Sequence, residues 1–186
     1  WSLNSVKDSL FTTTSLVTTT GFGTVDFETF PNLSKICIFF LFFIGGTAGS
    51  TTGGIKIIRT LLVVKYLSYE LKKLIHPQGV YSIKVGETVV PDTVVKNTLG
   101  FYLFYIFIFI IASILFASCG SDIMTSLTAS ASSLGNIGPG LGSIGPTDNW
   151  GHLPSPAKWM SSFCMLLGRL EIFTVMILFS KAFWKK

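Results

Sequence analysis

Charged residues are what this chain has least of. They make up 12% of 186 positions, 14 Lys and Arg against 9 Asp and Glu, where soluble domains carry about 25%. A large soluble core does not explain the deficit, because the uncharged runs are too long. Thr98 to Cys119 is 22 residues without a charge and Ile36 to Ile55 is 20. Each is long enough to cross a ~30 Å hydrocarbon layer as a helix. Cysteine is also sparse. Cys37, Cys119 and Cys164 all lie in apolar segments, with no CxxC pair, which argues against a disulfide framework or a zinc site and for small buried side chains. The two histidines, His76 and His152, lack ligand spacing. No nucleophile–base pair or paired carboxylates emerge, so no catalytic site is expected, and no covalently bound cofactor. What remains is 49% hydrophobic residues, 17 of them Phe, and a mean hydropathy of +0.61. This is the composition of an integral membrane protein.

The net charge of +5 raises nucleic acid as a partner, but the cations do not form a patch. Lys56, Arg59, Lys65, Lys72, Lys73, Lys84 and Lys96 lie between the second and third apolar blocks, and Lys181, Lys185 and Lys186 close the chain. That is the positive-inside pattern. It places residues 57–96 and the C-terminus in the cytoplasm and the Gly-rich loops outside, and it speaks against nucleic acid. The chain begins at Trp1, close to one of those loops, without the membrane helix expected before it. The expectation is the C-terminal part of a longer protein.

Two stretches read as copies. Thr18-Thr19-Thr20-Gly21-Phe22-Gly23 follows a short stretch opened by Asp8, and Leu134-Gly135-Asn136-Ile137-Gly138 follows one opened by Asp122. Asp8 to Asp122 and Gly21 to Gly135 are both 114 residues apart. Asp8 to Val17 and Asp122 to Ser132 are predicted to be short helices, each with an Asp at the positive end of its dipole. Lys35 to Gly45 and Lys158 to Gly168 share a spacing of ten at an offset of 123, so the second loop is expected to carry nine extra residues. The fold class predicted is an all-α integral membrane protein built from helix–pore-loop–helix units of the potassium-channel type. Residues 1–97 hold one unit without its first helix, and residues 98–186 hold a complete one.

A Gly-containing hairpin repeated between membrane helices is how a pore assembles backbone carbonyls to replace an ion's water shell. Gly supplies the unusual φ/ψ that this demands. The candidate carbonyls are those of Thr19, Thr20, Gly21 and Phe22 in one loop, and of Leu134, Gly135 and Asn136 in the other. The run Gly45-Gly46-Thr47-Ala48-Gly49-Ser50-Thr51-Thr52-Gly53-Gly54 falls inside what would otherwise be one helix from Leu33 to Leu67. Each Gly costs ~1 kcal/mol there relative to Ala, so the helix is predicted to break. A break at membrane depth lines a cavity, here a gate formed by Gly45, Gly46, Gly49, Gly53 and Gly54. The alignment sets Arg169 opposite Gly46. A central Arg costs ~2.5 kcal/mol or more on insertion scales and faces a polar interior. Arg169 is expected to project toward the pore and contact loop carbonyls. It is not expected to pair with Glu171, since i,i+2 residues point ~200° apart.

These residues resemble the Trk/Ktr/HKT superfamily of potassium transporters, and its bacterial TrkH type most. Thr18 to Phe22 looks like the third filter sequence of that family, and Leu134 to Gly140 like the fourth. Gly45 to Lys56 resembles its intramembrane gating loop, and Gly168-Arg169-Leu170-Glu171 its last-helix motif with a pore-facing Arg. The segment around His76-Pro77 resembles its cytoplasmic linker. The resemblance implies four pore repeats per subunit, a homodimer in the bacterial inner membrane, potassium as the transported ion, and a cytosolic nucleotide-binding regulatory subunit of the TrkA type. The alternatives from other classes are a secondary transporter using broken helices for another cation or small substrate, and a structural subunit with degenerate loops.

Overall fold

The computed structural model of the chain describes residues 3–178 and 181–184, except Ala48 and Val80. Ala48 of the Gly-rich run and the terminal Lys185 and Lys186 thus lie outside the described residues.

The first half opens with α1 (Leu3–Val17), then a 3-10 turn at Phe27–Thr29 and α2 (Asn32–Leu41). Helix α1 starts five residues before Asp8, so no acidic residue occupies its first turn. The expected symmetry of the two Asp residues therefore fails. Asp122 does cap the second short helix, accepting from the backbone N–H of Thr125 at 3.3 Å. Helix α2 stops at Leu41, and the next regular helix, α3, spans Ile57–Ile75. The break predicted from the glycines is present. It is closed by a small departure from all-helical structure: β1 (Ile44–Gly45) pairs in parallel with β2 (Ile55–Lys56), Ile44 opposite Ile55. A tight antiparallel hairpin, β3 (Lys84–Val85) and β4 (Thr88–Val89), turns through Gly86 at φ +61.

The second half is α4 (Asp92–Ser118), α5 (Ile123–Gly135), a 3-10 turn at Trp150–His152, α6 (Ser155–Arg169), α7 (Ile172–Leu178) and α8 (Lys181–Trp184). Among the described residues α4 is the one unbroken helix long and apolar enough to cross a membrane. Helices α6 and α7 are bent by 110° at Leu170–Glu171, where Glu171 takes φ +56.

Helix α5 sits at the centre. Its residues Thr125, Ser126 and Thr128–Gly135 are all buried, although most carry hydroxyls or no side chain. Their hydroxyls are satisfied locally except that of Ser133, which is buried without a partner; Ser130 donates to the carbonyl of Ser126 at 3.0 Å and accepts from Ser113 of α4, also at 3.0 Å. Small residues let α4 and α6 approach closely, the packing mode of helices that gain little from hydrophobic burial in lipid. The closest approach is at Gly168, where an added Cβ would stand 1.9 Å from the Leu134 carbonyl oxygen. Aromatic packing closes the other side, Phe43 lying edge-on to Phe109 at 5.1 Å and to Tyr105 at 6.3 Å. Of the cysteines only Cys164 is fully buried, and Cys37 is exposed on α2, contrary to expectation.

The Gly168 contact is testable. Gly168→Ala forces backbone apart and is expected to cost about 1–3 kcal/mol, the usual range for overpacking. Gly100→Ala in α4 meets open space and is expected to be neutral or to stabilise by up to ~1 kcal/mol. Thermal unfolding of the two variants in detergent should separate them, and equal midpoints would refute the contact.

Candidate functional site

The two loops after α1 and α5 share a backbone design. Thr19 and Asn136 both take the left-handed conformation at φ 54, and Gly21 and Gly138 follow at φ +77 and +115. The bonds match as well. Thr19 and Asn136 donate to Leu16 and Ser133 carbonyls at 3.1 and 3.2 Å. Thr20 and Ile137 donate to Ser15 and Ser132 carbonyls at 2.9 and 3.0 Å. The equivalent pairs are therefore Ser15 with Ser132, Thr19 with Asn136 and Gly21 with Gly138, each 117 residues apart.

This corrects the register of 114. Leu134 and Gly135 form the last turn of α5, both buried, and their carbonyls abut Gly168 and Gly53. They do not stand where Thr20 and Gly21 stand. Ile137 and Gly138 do, and sequence reasoning passed over them because Gly-Asn-Ile-Gly offers two glycines for one position. The spacing of Gly21 from Ser15, matched by Gly138 from Ser132, is the signal that identifies the right one. Phe22 is exposed, but its carbonyl accepts the Ser15 hydroxyl at 2.7 Å. The Gly138 carbonyl likewise accepts the Trp150 indole N–H at 3.1 Å.

Beyond the loops the offset becomes 123. Asp26 and Asn149 cap the two 3-10 turns, accepting from Glu28 N at 2.9 Å and Gly151 N at 2.8 Å, and Pro31 and Pro154 precede α2 and α6. The second loop is thus longer by six residues, not nine. Helix α5 holds the extra length through two threonines one turn apart. Thr128 bonds both the N–H and the carbonyl of Leu141, at 3.0 and 2.7 Å, and Thr125 accepts from Ser143 N at 2.9 Å.

The two loops also meet each other. A Cβ on Gly21 would stand 1.9 Å from the Ile137 carbonyl oxygen, and one on Gly145 would stand 2.9 Å from the Glu28 carboxyl carbon. Glu28 Oε1 is buried without a hydrogen-bond partner. Burial pushes its carboxyl above the ordinary range. A backbone bond from Gly142 opposes this, Asp26 and Asp148 add to it, and Lys35 again opposes.

On the other side of α5 lies the Gly-rich segment. Gly45 and Gly53 are close-approach points, since a Cβ on either would stand 2.3 Å from the carbonyl oxygen of Gly53 or Gly135 respectively. Gly54 needs φ +71, whereas Gly49 faces open space. Gly46 N donates to the Thr52 hydroxyl at 2.8 Å. Two cations hold the loop carbonyls: Lys56 donates to Ser50 O at 2.7 Å and to Thr52 O, and Arg169 donates to Thr51 O. Arg169 thus touches the loop. Glu171 pairs across to Arg59 at 2.9 Å, and that guanidinium lies 4.1 Å over the Phe101 ring. Lys56, Phe101, Arg169 and Glu171, with Tyr105 and Gly168, line a cavity of about 210 Å³. The pairing of Arg59 with Glu171 was not legible in the sequence, where Arg59 counted only as cytoplasmic charge, and Lys56 was read only as the end of the Gly-rich segment.

Over residues 3–186 the chain matches the sequence model of the TrkH family, described as cation transport proteins. It is 40% identical over 184 residues to the Trk system potassium uptake protein TrkH of Halomonas elongata, an alignment spanning 99% of this chain and 38% of that protein. Identity to Trk system potassium uptake protein TrkH of Escherichia coli K12 is 38%, with the same coverage of both. The crystal structure of the potassium transporter TrkH from Vibrio parahaemolyticus superposes with a TM-score of 0.90 at 41% identity, covering 98% of this chain and 38% of that one. The mostly helical membrane fold with pore-loop units is the one that structure has. The chain spans 38% of the length of these relatives.

Glu28 yields a prediction. A carboxyl whose folded pKa is raised costs stability as pH rises from its ordinary value through the raised one, and the full cost is present above the raised value. Glu28→Gln removes it. The variant is expected to melt higher than the parent at neutral pH, with the difference vanishing below the ordinary carboxylate range. A pH-independent difference in midpoint would refute the assignment.

Proposed function

The chain belongs to the TrkH family of cation transport proteins, and from that premise we propose that it carries half of the selectivity filter and the gate of a bacterial potassium uptake protein. The observation that carries this reading is the paired backbone: two short helices each followed by a left-handed residue, Thr19 or Asn136, and two positions on by a positive-φ glycine, Gly21 or Gly138. Two such turns side by side expose successive carbonyls, neutral ligands that can replace a potassium ion's water. The carbonyls assigned to the ion are those of Thr19, Thr20 and Gly21 in one loop and of Asn136 and Ile137 in the other.

Residues 1–97 and 98–186 are read as the third and fourth of four pore repeats, in a homodimer of the inner membrane. Residues 57–96 and the C-terminus face the cytoplasm, where a nucleotide-binding subunit of the TrkA type acts on the pore. The segment of Gly45, Gly46, Gly49, Gly53 and Gly54 is the gate. Arg169 holds it and places a positive charge beneath the filter. Transport of an organic substrate is the weaker reading. It needs polar groups free at the broken helix, and Ser50, Thr52, Lys56 and Arg169 are engaged with the loop itself.

In the full-length protein in liposomes, Arg169→Ala is expected to raise potassium flux about tenfold, equivalent to ~1.4 kcal/mol off the barrier. Unchanged flux at equal protein level sinks the gating role. Gly138→Ser places its side chain in open space but strains a left-handed backbone position. It is expected to lower potassium-over-sodium selectivity. A preserved selectivity ratio in folded protein would return the filter to Gly135.

A further inference from the structure

The hairpin after α3 builds a basic pocket that the ion pathway does not use. Ile83 is buried with Leu62 and Val95, packed by Tyr66, Tyr69, Val85 and Val90. This anchors the hairpin against α3, and the alternation of a strand turns Ser82 and Lys84 together to the other side. Lys65 Nζ donates to the Lys84 carbonyl at 2.5 Å and fixes the register. The result is a cavity of about 240 Å³ lined by Lys65, Lys72 and Lys84 with Ser68, Tyr69 and Ser82 among its hydroxyls. No carboxylate lines it. Among the described residues none lies within ion-pairing distance of the three lysines.

Helix α3 presents a second feature next to the first. Val64, Leu67, Leu71, Leu74 and Ile75 are all exposed, at 57–76%, and recur at helical spacing along one face. At ~100° per residue, Lys65, Ser68 and Lys72 lie between that stripe and the packed face of Leu62 and Tyr66. An exposed apolar stripe flanked by lysines is the pattern of a helix seated at the bilayer–water boundary. Lysines at that level reach toward anionic headgroups.

We propose that this pocket binds the phosphate of an anionic phospholipid headgroup, with Lys72 and Lys84 as its free cations, the Ser68 and Ser82 hydroxyls as further donors, and the acyl chains along the exposed stripe of α3. The stripe favours lipid over free phosphate, which would leave it bare. The proposal rests on the reading of the chain as part of a membrane transporter, but its readout is lipid retention and is independent of transport.

The test is native mass spectrometry of the full-length protein from detergent supplemented with phosphatidylglycerol or phosphatidylcholine. Lys72→Gln and Lys84→Gln are the variants; Lys65 is left intact because it holds the hairpin. Wild type is expected to retain phosphatidylglycerol in preference to phosphatidylcholine. Each substitution is expected to lower its retention about fivefold, with potassium uptake showing that the variants are folded. Equal retention by wild type and variants overturns the proposal. Stabilisation of wild type by inorganic phosphate but not by phosphatidylglycerol overturns the lipid assignment. Unchanged lipid retention with weakened capture of a cytosolic regulatory subunit assigns the face to a protein and also refutes it.

Discussion

A helix broken at membrane depth leaves backbone carbonyls without their helical partners, and the rest of this structure depends on how those carbonyls are satisfied. Between Leu41 and Ile57 the chain has no helical ladder. Part of the deficit is met by pairing the two ends of the break, Ile44 with Ile55 and Gly45 with Lys56. The Gly46 and Thr47 carbonyls accept from Ile57 N at 3.1 Å and Ser50 N at 2.9 Å, and cations meet three more from two directions. Lys56, at the foot of α3, reaches back to Ser50 and Thr52, and Arg169, at the end of α6, reaches across to Thr51. A neutral donor at either position could form the bond but would bring no charge. The same two side chains therefore hold the segment and concentrate positive charge on it.

That arrangement requires backbone to touch backbone. Gly53 lies on the Gly135 carbonyl and Gly168 on the Leu134 carbonyl. The last turn of α5 is thus gripped on one side by the broken segment and on the other by α6. Arg169 follows Gly168 directly, so the contact that seats α6 also delivers the guanidinium to the loop. Displacing α6 at Gly168 would move Arg169 with it. The packing of α6 on α5 and the hold of Arg169 on the broken segment are coupled through two adjacent residues.

Element type was legible in the sequence where composition forces it. The uncharged run from Thr98 gave α4, the glycines gave the break after Leu41, and the repeat gave both short helices. What escaped has physical causes. The end of α5 was misplaced because Ser132 to Gly135 continues helical bonding until Asn136 turns left-handed, a conformation that Asn tolerates but does not announce. The bend at Leu170–Glu171 has no Gly or Pro at it to mark it, and the Glu171 there pairs with a residue 112 positions away, Arg59. Asp8 looked like a helix start by analogy with Asp122, but α1 had enough sequence before it to begin earlier.

The two loops are alike in backbone and unlike in support. The first closes through Ser15 and its neighbours alone, and leaves Thr20 and Phe22 exposed. The second is fixed at many points. Asn136 is tied to Met165 of α6 at 3.0 Å, Gly138 N donates to Ser132 Oγ at 3.1 Å, and the extra six residues are pinned on Thr125 and Thr128. A ring of carbonyls can select by size only if its members cannot relax around a smaller ion. The well-braced second loop abuts the looser first one, with the Ile137 carbonyl against Gly21. The bracing around α5 thereby reaches the first loop as well.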